Sequence, residues 1–388
     1  MSIGAAATTG GHDEAHADPA ELRANLRKAD PGVLVAVLAQ LTGDLSVIDT
    51  FGPKIDYVPD PPERAGVTDP DTADALVNAV VDALSRRRPA ASAVDRDFFA
   101  RLLPVALGSE VDDEQVDLLL EQGGFRPAQP TLPRTVAIPS TTTVAIIGAG
   151  IAGIAVALAA AEEGVSFEIF DRNPEVGGTW LTTNYPGIGV DTPSAYYSLS
   201  REVNPDWSNY YPQGAEYQAY LIRLADKHAL RQHIRFSTEV EALWWDEDRE
   251  QWQIHAVDAD GNRDIAYARV VVTAAGYLNR PRWPDVPGRD TFAGTSVHSA
   301  DWDSSLDLTG KKVAIIGAGC TAVQIVDASV DQVEHLTVFQ RQPHWVAPRK
   351  RLSDDVPGHR RYLGRHVPFY AKWHRLKSYW ATADNNYP

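Results

Sequence analysis

The 388-residue chain holds a single cysteine, Cys320. One thiol cannot close an internal disulfide, and disulfide-reductase chemistry needs a cysteine pair, so both are excluded. A reducing cytosol is the expected compartment. Basic residues are also scarce. Against 52 Asp and Glu stand 36 Lys and Arg, giving a formal charge of −16 and a pI near 5.1. That balance repels nucleic acid and anionic membranes, and neither is expected as a partner. Residues Met1 to Asp18 lack both a basic start and an apolar stretch, so no export signal is expected there. Long uncharged runs are missing with one exception, Thr141 to Ala161. Ala and Gly dominate it, and three glycines fall in a turn pattern. It is expected to form a buried strand, a tight loop and a packed helix rather than a membrane span. No repeat at solenoid periods is evident.

What is present is ordinary globular material, 44% hydrophobic and 23% charged. At about 100–200 residues per domain, two or three domains are expected. The charge is uneven: residues 141–340 carry a net −13 and residues 341–388 a net +7. Residues 1–125 read as an all-helical extension. Leu22, Leu26, Val33, Leu34, Val37, Leu38 and Leu41 recur at helical spacing, broken at Asp30-Pro31-Gly32, and further helices are expected over Thr72–Leu84, Asp95–Leu107 and Asp113–Gln122. A helical cap or a dimerisation module is the expected role. Residues 126–142 form a linker rich in Pro and Thr. From residue 143 strands alternate with helices. The expected fold class is α/β with parallel sheets: two Rossmann-like dinucleotide-binding units, over 143–290 and 291–388, follow the helical domain. Within them, Trp252–Val257 and Ala266–Thr273 read as strands, and the basic aromatic C-terminus reads as one helix.

The first fingerprint is Gly148-Ala149-Gly150-Ile151-Ala152-Gly153, between a strand and a helix. Gly148 permits the turn, Gly150 lets backbone approach a pyrophosphate, and Gly153 lets helix and strand pack closely. The helix N-terminus offers N–H groups to the anion. Asp171, 23 residues after Gly148, ends the next strand, where a carboxylate accepts hydrogen bonds from a ribose diol. The second fingerprint is Gly317-Ala318-Gly319-Cys320-Thr321-Ala322, with Ala322 in the third glycine position. Its second strand ends at Gln340-Arg341, where a cation suits a 2′-phosphate and favours NADP over NAD. Arg341 could instead cap a helix or pair with an acid. Cys320 is expected as a small packing residue. Two such units imply two nucleotides, and a flavin with a nicotinamide is the natural pair for hydride transfer.

Between the units lies Gly177-Gly178-Thr179-Trp180, then Tyr185-Pro186-Gly187 and Asp191. Further on stands Phe292-Ala293-Gly294-Thr295-Ser296-Val297-His298, ending at Trp302-Asp303. These patterns, G-G-x-W-x₄-Y-P-G-x₃-D and F-x-G-x₃-H-x₃-W-D, resemble the two fingerprints of the Baeyer–Villiger monooxygenases, a class B branch of the flavin-containing monooxygenase superfamily. The helical extension with Val190-Asp191-Thr192-Pro193 and Phe339-Gln340-Arg341 resembles the 4-hydroxyacetophenone monooxygenase group in particular. The resemblance is strong over about 140–350 and loose before that.

The resemblance implies FAD in the first unit and NADPH in the second. It also implies a reaction in which one oxygen of O2 is inserted beside a ketone carbonyl through a C4a-peroxyflavin, giving an ester or lactone, with an aryl ketone a plausible substrate. Gly178, Thr179, Trp180, Asp191, Tyr197 and Val240 take positions matching contacts to FAD, Val240 through its backbone. Gly317, Gly319, Thr321, Ala322, Arg341 and Gln342 take positions for the nicotinamide dinucleotide. Asp191 and His298 are the catalytic candidates. His298 is equally readable as a satisfied structural histidine, and Trp302 and Phe292 are expected to pack. Thr273-Ala274-Ala275-Gly276-Tyr277 resembles the A-T-G turn that crosses the flavin site. Two departures stand out. Gly189 occupies a position where the family often has Arg. The family's remaining strands and its active-site arginine have no match before Pro388, so both units are expected to be incomplete at the C-terminus. Arg349, Lys350 and Arg351 read as a solvated or phosphate-facing patch. Two alternatives stay open: an inactive nucleotide-binding fragment, and an enzyme that oxidises nitrogen or sulfur. A homodimer through the helical extension is a further expectation.

Overall fold

The computed structural model describes residues 18–57, 66–67, 69–86, 94–126, 137–345 and 355–384. The 349–351 basic cluster and most of the 126–142 linker lie outside them. The described residues fall into two compact units. Residues between 134 and 190 and between 212 and 350 form one; residues from 8 to 133, from 191 to 211 and beyond 350 form the other.

The second of these units is largely helical. Its N-terminal part runs α1 (Pro19–Leu26), α2 (Pro31–Thr42), α3 (Ser46–Phe51), a short antiparallel pair β1 (Ile55–Asp56) and β2 (Gly66–Val67), α4 (Pro70–Ser85), α5 (Arg96–Leu107) and α6 (Asp113–Gln122). Helix starts follow a common chemistry. Asp18, Asp30, Asp69 and Asp95 each cap a helix by accepting backbone N–H groups. Helix α2 is buried from Pro31 to Gln40, which explains why its sequence is apolar on every face.

The other unit follows in sequence. A parallel four-stranded sheet has the order β5-β4-β3-β9, from β3 (Thr143–Ile147), β4 (Ser166–Phe170), β5 (Ile234–Arg235) and β9 (Val270–Thr273). Helix α7 (Ile151–Glu162) links β3 to β4, and α8 (Thr179–Thr182) and α9 (Gly214–Lys227) lie between β4 and β5. The long uncharged run is therefore strand, turn and helix. No described helix is long and apolar enough to cross a membrane.

Strands β6 (Thr238–Asp246), β7 (Gln251–Asp258) and β8 (Arg263–Ala268) make an antiparallel sheet that the sequence did not announce. The single strand expected over Ala266–Thr273 is two, broken at Arg269, because β8 pairs in the antiparallel sheet and β9 in the parallel one. A second parallel pair, β10 (Lys312–Ile316) and β11 (His335–Phe339), is joined by α10 (Cys320–Ser329).

The C-terminal segment differs from expectation. It forms two helices, α11 (Gly358–His366) and α12 (Tyr370–Asp384), and these belong to the helical unit rather than to the unit of β10 and β11. Packing supplies the reason. Leu363, Val367, Tyr370, Trp373 and Leu376 are buried in one core with α2, α4, α5 and α6. Phe99, Phe125 and Trp373 contact one another at ring separations of 4.7–5.2 Å. The basic residues of α12 are anchored as well. Lys377 Nζ lies 2.6 Å from Asp30 Oδ2, Arg375 Nε donates to Gln122 O at 2.9 Å, and Trp373 Nε1 donates to Gln40 Oε1 at 2.9 Å. The positive charge of the C-terminus is thus partly interior pairing, which a count of charges cannot distinguish from a solvated patch.

Candidate functional site

Two glycine turns in the α/β unit make up the candidate site. At the first, β3 ends and Gly148 turns the chain with φ +110°, its N–H donating to Phe170 O at 2.8 Å. A Cβ there would lie 2.6 Å from Ala274 O, so the Thr273–Tyr277 turn closes against this glycine. A Cβ on Gly153 would drive into the carbonyl oxygen of Gly148. Helix α7 therefore starts in close contact with the turn. Its N-cap is Gly150 and no side chain caps it, which leaves the first amides of the helix for an anion.

Gly177 N–H donates to Ala149 O at 3.2 Å, and a Cβ on Gly178 would lie 3.0 Å from the Cα of Gly150. Gly148, Gly150, Gly153, Gly178 and Thr179 are thereby brought together. Trp180 follows on α8, its ring 5.2 Å from Tyr217 on α9.

Asp171 does something the sequence did not show. It is buried, its Oδ2 accepts Ala149 N–H at 2.6 Å, and its Oδ1 accepts from both the backbone N and Nδ2 of Asn173 at 2.8 Å. The carboxylate expected to meet a ribose also holds the glycine turn in shape. Asn173, two residues on, was missed, although Asp with Asn at that spacing is a recognisable local turn pattern.

At the second turn Gly317 has φ +118° and donates to Phe339 O at 2.9 Å. Helix α10 begins at Cys320 with Gly319 as an uncapped N-cap. A Cβ on Gly317 or Gly319 would meet nothing within 4 Å, so this turn is open where the first is enclosed. Ala322 is buried and fills the third position, and Thr321 is half-buried. Arg341 and Gln342 are exposed just past β11. Cys320 is exposed, and Phe292 is 64% exposed, so neither packs as expected.

His298 caps the short turn Ser299–Asp301: its Nδ1 accepts Ala300 N–H at 3.1 Å, which places its ring proton on Nε2. The ring lies edge-on to Trp283 at 5.5 Å, and the Arg289 guanidinium sits over the same indole at 3.7 Å. Asp303 accepts Ser305 N–H and Oγ–H at 2.9 and 2.7 Å, bonds that hold its carboxyl below the usual carboxylate range. Val240 sits on β6 at a bulge, pairs with Ala256, and packs its side chain into the core under the antiparallel sheet. Asp191 and Tyr197 group with the helical unit, and Tyr197 N–H donates to Pro193 O at 2.8 Å. Tyr185 is buried and donates to Gln324 Oε1 on α10 at 2.7 Å, and Gln324 Nε2 donates to Gly189 O at 2.9 Å. Sequence reasoning missed Gln324, which stands seven residues after Gly317 and carries no signal in a single sequence.

A mixed α/β chain with a parallel sheet and glycine turns at bare helix N-termini is in the class of nucleotide-binding folds. The chain belongs to the flavin-binding monooxygenase-like family, whose sequence model matches residues 141–358. It is 42% identical over 233 residues to a Baeyer–Villiger monooxygenase of Streptomyces coelicolor, a match covering 60% of this chain and 44% of that protein. It is also similar to a crystal structure of cyclohexanone monooxygenase from Rhodococcus sp. Phi1 bound to NADP+, at 35% identity and TM-score 0.51, covering 58% of this chain and 43% of that one. The structure of OTEMO in complex with FAD and NADP matches at 32% identity and TM-score 0.52, over 58% and 43% of the two chains. The chain spans less than half the length of the curated relatives it matches.

Proposed function

We propose that the chain carries the flavin- and nicotinamide-binding machinery of an FAD- and NADPH-dependent monooxygenase of Baeyer–Villiger type. Its substrates would be O2 and a ketone, and an aryl ketone is the first to try on the sequence resemblance. One observation carries the reading. A chain of the flavin-binding monooxygenase-like family holds two parallel strand–helix–strand units, each with a glycine turn leading to an uncapped helix N-terminus. Both turns suit a diphosphate, because no side chain caps the helix N-terminus that follows either turn.

In this reading FAD lies along the Gly148–Gly153 turn and Gly178–Trp180, with Asp171 fixing the turn that receives it. NADPH lies along Gly317–Ala322, and Arg341 with Gln342 meets the 2′-phosphate. Bound together, the two supply hydride transfer and oxygen activation. The chain's own residues bind and orient. His298 holds the 299–301 turn through Nδ1 and keeps one proton, on Nε2, free to be shared. Asp191 is the second candidate for proton handling.

Two readouts test the proposal: NADPH-dependent O2 consumption with an aryl ketone, and the product formed. An ester supports insertion beside the carbonyl. An N-oxide from an amine, without ester, would redirect the reading to heteroatom oxidation. Changing Arg341 to Ala should raise KM for NADPH by about tenfold or more and leave that for NADH nearly unchanged, as expected for loss of a charge-assisted phosphate contact. Equal effects on both would refute the phosphate role. A second reading, nucleotide binding without turnover, is favoured by the bare faces of β10 and β11, where Ile316 and Phe339 are 65% and 57% exposed.

A further inference from the structure

Gln324 reaches across from α10 to the 185–189 segment and satisfies both ends of its amide there. Its Oε1 accepts the buried Tyr185 hydroxyl at 2.7 Å, and its Nε2 donates to Gly189 O at 2.9 Å. The contact is backed by backbone. A Cβ on Gly187 would lie 2.7 Å from Gln324 O and 2.9 Å from the Ala328 side chain, so the segment lies directly on the helix. The same segment leads to the first turn. Ile188 O accepts Gly214 N–H at 3.1 Å, and a Cβ on Gly214 would lie 3.4 Å from the side chains of both Ile188 and Trp180. Trp180 belongs to α8, whose N-cap is Gly178, the residue packed on Gly150. A contiguous packed path therefore runs from the helix that begins at the second glycine turn to the first glycine turn.

We infer that Gln324 is a positioning residue that couples the two nucleotide sites, so that a nicotinamide dinucleotide held at the start of α10 stiffens the 185–189 segment and, through Gly214 and Trp180, the first turn. The inference rests on the functional reading above. A displacement of α10 by about 1 Å would stretch both hydrogen bonds of the Gln324 amide beyond useful range. A nucleotide that fixes α10 by its N-terminus thus fixes the latch. Linkage makes the effect reciprocal: FAD at the first turn tightens binding at the second by the same factor. The side-chain amide is suited to the task because it supplies one acceptor and one donor, and Tyr185 and Gly189 present the complements.

The test is calorimetric titration of the whole chain with FAD, with NADP+, and with each in the presence of the other. Wild type should show mutual tightening of about fivefold or more. Gln324→Leu, which removes both bonds at similar volume, and Tyr185→Phe, which removes one, should bring that factor below about twofold, with single-ligand affinities held within about threefold. A merely structural role would lower the single-ligand affinities instead. Hydrogen exchange gives a second readout. NADP+ should slow amide exchange across 185–189 in wild type and leave it unchanged in Gln324→Leu. Undiminished coupling and protection in both variants would overturn the inference, as would independent binding of the two ligands to wild type. If wild type binds neither ligand alone, the single titrations show that the functional reading has failed, and the inference falls with it.

Discussion

At the residue scale, chemistry and structure are divided among groups that look alike in the sequence. His298 caps its turn through Nδ1, so its structural and protonic roles sit on different nitrogens. An Asn side chain supplies an equivalent cap acceptor but no ring proton. His298→Asn should therefore keep wild-type stability, and His298→Ala should lose about 1 kcal/mol in chemical denaturation. If NADPH-driven flavin reduction is preserved in Asn and impaired in Ala, the residue acts by holding the turn. Impairment in both, with Asn fully stable, would assign the role to Nε2.

The buried pair of Asp30 and Lys377 gives a second residue-scale expectation. Each side chain is nearly inaccessible to solvent, and Asp30 also caps α2 through Val33 N–H at 3.0 Å. Lys377→Met leaves a buried carboxylate without its cation and should cost about 3–5 kcal/mol. A loss under about 1 kcal/mol in urea denaturation would show that the pair is solvated.

At the element scale, helix α11 carries a pH response. Burial, followed by Arg360 and Lys28, pushes the half-buried His359 imidazole down to about 4. Lys28, Arg361, Arg365, Tyr362 and Glu21 line the same open groove. The unfolded chain binds this proton near pH 6.5 and the folded one only near 4, so between those values the unfolded state holds more protons. The contribution to stability is present above about pH 6.5 and is lost as pH falls toward 4. The unfolding free energy of His359→Gln should fall less steeply than that of wild type over this window. Parallel curves would show that His359 titrates alike in both states.

The elements themselves were unequally legible. Helices capped by Asp-Pro or Asp, such as α2 and α4, announced their starts, and their apolar spacing is strong enough to outvote alternatives. Both glycine turns were legible for the same reason: a strand, a turn that needs glycine and a helix leave a dense local pattern. Strand β6 was not, because charged and aromatic residues alternate irregularly along it and its partners are supplied by tertiary pairing. The split between β8 and β9 was hidden because one apolar run serves two sheets. The destination of α12 was hidden because Trp373 finds its partners Phe125, Phe99 and Gln40 at 248, 274 and 333 residues earlier in the chain. The interior use of Arg375 and Lys377 violates the usual rule that charge marks surface.

At the scale of the whole molecule, glycines rather than the single cysteine or the acidity mark the candidate sites. Of the candidate residues, the turn at Gly148–Gly153, Gly178, Thr179 and Trp180 converge in one unit with Asp171. Asp191 and Tyr197 group with the other unit. The second turn is open, and the apolar residues Ile316, Val338 and Phe339 beside it are exposed, whereas the first turn is enclosed by Ala274 and Gly178. The first site is therefore the better formed of the two, and flavin binding is the claim on which the account stands.

The most direct measurement is titration of the purified chain with FAD, followed by quenching of flavin fluorescence, for wild type and Gly153→Val. A side chain at 153 has no room beside Gly148 O. The account predicts saturable one-to-one binding by wild type and at least about tenfold weaker binding by the variant, with the helical unit still folded. Absence of binding by wild type, or equal affinity in a Gly153→Val protein that retains its fold, would contradict it.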